Sequence, residues 1–168
     1  MQFKITICLS LLFLFFSACG YRFSGGEGLL SGKVQTLSVQ IFENKSQWSN
    51  LDMMITNDIV AKLRQSRSVN LVHHSKENIL CGSIDRVKID TLSRSSEGIP
   101  QEKYVEMTLS VYIKDKEGQR IWQTSINEQE GFFPNSNHEQ LLLAQTEAMA
   151  QVSERLAEWV LNELGQGF

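Results

Sequence analysis

Residues 105–113 place Val105, Met107, Leu109, Val111 and Ile113 at every second position, with Glu106, Thr108 and Ser110 between them. A period of two puts all the apolar side chains on one face of an extended strand. Asp115-Lys116-Glu117-Gly118 follows with turn chemistry, and residues 121–126 return as a partner strand, so this stretch reads as a β-hairpin. A lone hairpin is marginal in water. The rest of the chain must therefore supply the layer that covers this apolar face.

Two segments have the pattern to do so. Leu51, Ile55, Ile59 and Leu63 recur every four residues and predict a helix from Asn50, a candidate N-cap, to about Gln65, with Asp58, Lys62 and Arg64 mostly outward. Residues 139–164 contain neither Gly nor Pro and are rich in Leu, Ala, Glu and Gln, which predicts the longest helix. On it Leu142, Met149, Val152, Leu156 and Val160 are expected on the buried face, with Glu147, Glu154, Arg155 and Glu158 available to solvent.

Further extended segments complete the order of elements. Leu37, Val39 and Ile41 alternate with Ser38 and Gln40; residues 69–72 form a short extended piece; residues 79–89 form a longer strand whose apolar phase shifts near Ile84, the sign of a bulge. Residues 43–50, 91–101 and 131–135 read as loops. The order β, α, several β, α predicts an α+β fold: a mixed β-sheet of about four strands with two α-helices packed on one face, an α/β sandwich rather than a doubly wound fold.

The N-terminus determines where such a domain works. One positive charge, Lys4, precedes an apolar run over residues 5–16, broken only by Thr6 and Ser10. A stable membrane span needs about 20 apolar residues, so this run suits a secretory signal. Phe16-Ser17-Ala18-Cys19 then places two small residues before a cysteine, as in a bacterial lipobox; Phe16 departs from the usual Leu. The reading is a signal peptide over residues 1–18, a lipidated N-terminus and tether over 19–33, and one α+β domain over 34–168. No cofactor is expected beyond the covalent lipid anchor on Cys19. Acyl chains contribute about 0.8 kcal/mol per buried methylene, and more than one makes membrane anchoring stable. The glycine-rich segment after Cys19 keeps the domain close to that surface, since about 12 flexible residues span roughly 20 Å.

Charge and cysteine usage exclude several classes. Loss of Lys4 with the signal leaves 15 basic residues against 19 acidic, a net charge of −4, with no polybasic block, so nucleic acid is not an expected partner. Cys8 leaves with the signal, and Cys81, within Ile79-Leu80-Cys81, reads as a buried inert thiol rather than a disulfide partner. His73 and His74 are adjacent and point to opposite sides of an extended chain, which is poor for a shared metal. His138-Glu139 opens the last helix, where the carboxylate favours the positive end of the dipole. Ser83 and Asp85 share one side of a strand, but no nucleophile elbow or phosphate-cradling glycine loop accompanies them. Trp122 and Trp159 read as core anchors. No metal site, catalytic residue or enzymatic activity is expected.

Several short motifs resemble one family. Cys19-Gly20-Tyr21-Arg22-Phe23 resembles the mature start of the LPS-assembly lipoprotein family, LptE. Residues 34–44, ending in Ile41-Phe42-Glu43-Asn44, resemble its first strand and following loop. Residues 104–111 with Asp115, Gly118 and Trp122 are similar to its hairpin, and the terminal helix fits. The resemblance implies an outer-membrane lipoprotein, periplasm-facing, that plugs a large β-barrel translocon, binds lipopolysaccharide and helps deliver it to the outer leaflet. Gly20 after the lipidated cysteine agrees with outer-membrane sorting.

The resemblance also carries candidate lipid contacts. Arg94 matches the position of a basic residue that the family uses for lipopolysaccharide, whereas residues 135–139 lack the second basic residue found in some members. Lys114, Lys116 and Arg120 around the hairpin turn could substitute, although turn charges also serve solubility. Two other classes stay open at this point: an envelope scaffold lipoprotein that binds another periplasmic protein, and a tethered hydrolase built on the scattered histidines.

Overall fold

The computed structural model describes residues 34, 36–67, 69–73, 77–134 and 136–166. The signal segment, Cys19, the tether and His74 lie outside the described residues.

The central feature is an antiparallel meander of three long strands: β4 (Ile79–Arg94), β5 (Pro100–Lys114) and β6 (Arg120–Phe132). Three short strands extend it on the β4 side. β1 (Thr36–Val39) and β2 (Glu43–Asn44) both run parallel to β4, and β3 (Asn70–Leu71) runs parallel to β1, giving the order β3-β1-β4-β5-β6. The sheet is mixed and holds six strands, two of them only two residues long. Helix α1 (Leu51–Ser66) links β2 to β3, and α2 (His138–Gln166) follows β6. The α+β architecture with two helices packed against the sheet is the one expected from the sequence, with six described strands rather than about four, since Glu43–Asn44, expected in a loop, pairs with β4.

The alternation in β5 sets the core. Val105, Met107, Leu109 and Ile113 are 0 % exposed, and they meet Leu51, Ile55, Ile59 and Leu63 of α1 and Val152, Leu156, Val160 and Leu164 of α2 within one hydrophobic cluster. Fully burying a Leu or Ile side chain contributes roughly 1.5–3 kcal/mol, so this layer dominates stability. The phase shift near Ile84 is a bulge: Ile84 pairs with Leu109 and Arg86 with Thr108, leaving Asp85 as the extra residue.

Other details depart from the sequence reading. Asn50 precedes α1 but is left-handed, at φ 64°, and its side chain makes no capping hydrogen bond. Asn137 caps α2 instead, with Oδ1 accepting from the Glu139 amide at 2.9 Å. Asp58 and Lys62 face the second helix rather than open solvent: Ser153 Oγ donates to Asp58 at 2.5 Å, and Lys62 Nζ lies 2.8 Å from Glu154 and 2.6 Å from Glu158. Leu142, expected in the core, is 47 % exposed, because the core-facing stripe at this end of α2 runs through Leu141, Ala144 and Ala148 and leaves Leu142 to one side. Trp159 is 45 % exposed and donates to Glu128 at 2.5 Å, while Trp122 is buried. Gly131 and Phe132 belong to β6 rather than a loop, since Phe132 turns into the core.

Candidate functional site

The helices cover one face of the meander, and the register sets out the other face row by row. Cys81, Tyr112 and Gln123 lie abreast; then Ser83, Ser110 and Ser125; then Arg86, Thr108 and Asn127; then Lys88, Glu106 and Gln129; and Asp90 beside Tyr104. These are the alternate positions of the strands that fill the core, so the same periodicity that buries Leu109 presents Ser110 and Tyr112 on the open side. Among the described residues no helix covers this face; it is polar, with a tyrosine toward each end and with Cys81 and Ser83 buried on it.

Each tyrosine carries a cation. At one end Lys88 Nζ lies 5.8 Å from the Tyr104 ring centroid and 2.7 Å from Asp90, so its charge is matched. At the other end the Arg120 guanidinium lies 4.2 Å from the Tyr112 ring centroid and Lys114 Nζ lies 5.3 Å from it. Among the described residues neither Lys114 nor Arg120 makes an ion pair. A depression of about 290 Å³ beside this ring is lined by Ser110, Tyr112, Arg120, Gln123 and Ser125.

A second polar group occupies the bulge. Asp85 accepts from Ser83 at 2.7 Å and from Ser110, and pairs with Lys45 at 2.9 Å. Partial burial works against the Asp85 carboxylate, but the Ser110, Ser83 and Lys45 hydrogen bonds outweigh it and hold the group at about 2. Ser83 and Asp85 are thus a satisfied brace of the bulge, without a histidine or other base in the set. Cys81 is buried, and burial raises its thiol above the usual range despite the nearby charges of Lys114 and Arg120.

The four cations singled out in the sequence are not brought together. Arg94 is the last residue of β4 rather than part of a loop over residues 91–101; Nη1 donates to the Gly98 carbonyl at 2.9 Å and closes the β4–β5 turn. Lys114, Lys116 and Arg120 lie at the opposite end of β5, roughly 45 Å away at about 3.3 Å per residue. Lys116 points to solvent with a 3.6 Å contact to Glu117. Only Lys114 and Arg120 form a constellation, and Tyr112 completes it. Tyr112 stands in the polar phase of β5, and no motif in the sequence marks it as part of a site. His73 is exposed, and no group of three or more His, Cys, Asp or Glu among the described residues could hold a metal. No described helix is long and apolar enough to cross a membrane.

Comparison with known proteins connects this architecture to a family. The family described as Lipopolysaccharide-assembly, LptE, matches residues 34–164. No curated protein sequence matches the chain. Among solved structures, the rare lipoprotein B from Shewanella oneidensis is similar at a TM-score of 0.55 and 15% identity, over 76% of this chain and 91% of that one. Protein CT253 from Chlamydia trachomatis, described as hypothetical, gives a TM-score of 0.58 at 10% identity, over 79% and 96%. A minor lipoprotein from Acinetobacter baumannii gives 0.52 at 12%, over 78% and 90%. At these identities the structural likeness speaks for the fold, while the family match runs across the six described strands, α1 and nearly all of α2. The chain belongs to the LptE family of lipopolysaccharide-assembly lipoproteins.

Proposed function

We propose that this protein is an outer-membrane lipoprotein that sits as a plug in a large β-barrel translocon and helps deliver lipopolysaccharide to the outer leaflet. The observation that carries the reading is the family match over residues 34–164, together with a fold that agrees with it from β1 to α2. The precursor organisation fits: a signal over residues 1–18, lipid attachment at Cys19 and a short tether before Val34. The domain then faces the periplasm on a lipid anchor, in reach of both a membrane-embedded barrel and its lipid cargo.

The chemistry of the body suits binding rather than reaction, and no reaction is proposed. The open sheet face offers hydroxyls, amides and cations in register, which can recognise a phosphorylated glycolipid without transforming it. Arg94, Lys114, Lys116 and Arg120 are the candidate contacts, and their separation along β5 makes them two sites rather than one. Arg94 keeps further N–H groups beyond the one given to Gly98, while Lys114 and Arg120 sit at the end where the chain enters the fold.

Affinity purification of the tagged lipoprotein from detergent-solubilised outer membranes, with mass identification of what resists washing, tests the partner. The expected result is a stoichiometric large β-barrel, reduced when Cys19→Ala removes the anchor. Recovery of a different envelope protein in its place would replace the plug with a scaffold role.

A further inference from the structure

Lys114 and Arg120 are direct partners across the β5–β6 hairpin. Like charges directly opposite on a hairpin are destabilising, and this pair is brought about by an irregularity: Ile113 faces Trp122 and Lys114 faces Arg120, so Ile121 is the extra residue. Both cations then converge on one ring, at 4.2 and 5.3 Å from the Tyr112 centroid. The carboxylates of the turn are engaged elsewhere. Asp115 Oδ1 accepts from the Glu117 and Gln119 amides at 3.0 and 2.8 Å, and Glu117 approaches Lys116. Lys88 and Lys45 on the same face have Asp90 and Asp85 as counter-charges; Lys114 and Arg120 have none among the described residues. Arg86, also without an ion pair among the described residues, lies farther up the face, and the cation in the next row, Lys88, is matched by Asp90.

We propose that Lys114, Arg120 and Tyr112 form a binding site for a phosphate carried on a sugar. The guanidinium stacked on Tyr112 is held in place by the ring, leaving N–H groups at its edge for a phosphate oxygen, and the Lys114 ammonium supplies the second charge. The adjoining depression of about 290 Å³ is lined by Gln123 and Ser125, whose amide and hydroxyl can meet sugar hydroxyls, and by Ser110, whose own hydroxyl proton goes to Asp85. The site also lies at the end of the sheet where the chain enters. β1 runs parallel to β4, Ser38 pairs with Ile79, and Ile79 pairs with Lys114. A phosphosugar headgroup near the anchoring surface would meet this end of the protein first. The glycolipid source rests on the delivery role proposed above; the phosphate chemistry does not.

The test is a titration of the full-length protein in non-ionic detergent, followed by amide NMR. Glucosamine 6-phosphate is the probe, with glycerol 3-phosphate and unphosphorylated glucosamine in parallel. The site predicts saturable shifts at residues 110–114 and 120–125, absent with glucosamine, and weaker binding of glycerol 3-phosphate. Lys114→Gln and Arg120→Gln should each weaken binding at least about tenfold, Arg120→Lys should fall between, and Arg64→Gln, on the exposed side of α1, should leave it unchanged. Equal affinity for glycerol 3-phosphate would overturn the sugar assignment and point to a phospholipid headgroup. Absence of saturable shifts, or shifts indifferent to both glutamine variants with spectra otherwise native, would overturn the site. Barrel recovery from membranes does not depend on this result, so the two readings fail separately.

Discussion

Phe42 packs directly over Gly82, filling the space that a side chain on β4 would occupy. A Cβ built there would stand 2.7 Å from the Ser110 carbonyl oxygen and closer still to the Phe42 ring. The glycine therefore lets the segment between β1 and β2 lie flat on the sheet, with Phe42 only 1 % exposed. Gly82→Ala should destabilise the fold by at least about 1–3 kcal/mol through overpacking. Urea denaturation checks this, and a smaller aromatic-to-aliphatic change at the partner, Phe42→Leu, should recover part of the loss in the double variant.

Asp85 gives the protein an acid-sensitive brace. Its folded-state value of about 2 lies below the ordinary 3.8, so the stabilisation from its ionised form is complete above about pH 4 and is lost as pH falls toward 2. Asp85→Asn should lower stability near neutral pH and flatten that part of the acid-unfolding profile. Chemical denaturation at a series of pH values reads both effects, and an unchanged acid limb would remove Asp85 from the account.

Arg155 joins α2 to the exposed edge of the sheet. Nη2 lies 2.6 Å from Glu130 and donates to the Gln129 carbonyl at 2.7 Å, and Nε lies 3.4 Å from Glu128. It thus occupies an outward-facing carbonyl on β6, the kind of group that makes a strand edge sticky. Arg155→Ala should lower stability by about 1–3 kcal/mol, the scale of hydrogen bonds to charged groups, and increase self-association at high concentration. Denaturation midpoints and light scattering measure the two outcomes.

Trp122 is buried, and its indole Nε1 has no hydrogen-bond partner among the described residues. An unmet buried donor costs about 1–3 kcal/mol, so Trp122→Phe should be tolerated far better than Trp122→Ala, which should cost about 3–5 kcal/mol. Thermal unfolding of the two variants makes the comparison.

Burial explains what was legible in the sequence. The phases of β5 and α1 could be read because Leu109 and Ile55 repeat with the period of their element, and the shift at Ile84 announced the Asp85 bulge. The upper part of the β4–β5 hairpin could not be read: Thr91, Ser93, Gln101 and Glu102 show no apolar face, and the strands there are held by backbone pairing. Trp159 departs from the core position expected of it because it flanks the stripe of Leu156 and Val160 on α2, and its indole reaches Glu128 instead. The Tyr112 constellation needed structure as well. Its two cations are six positions apart in sequence, and only the irregular register at Ile113 and Lys114 sets them side by side.

The central claim is delivery of lipopolysaccharide, and controlled depletion of this protein tests it most directly. Lipopolysaccharide at the cell surface would be followed by labelling of intact cells, beside the total amount made. Delivery predicts that surface label falls while newly made lipopolysaccharide accumulates inside, with recovery on re-expression of the wild type. Unchanged surface label at full depletion would contradict the account.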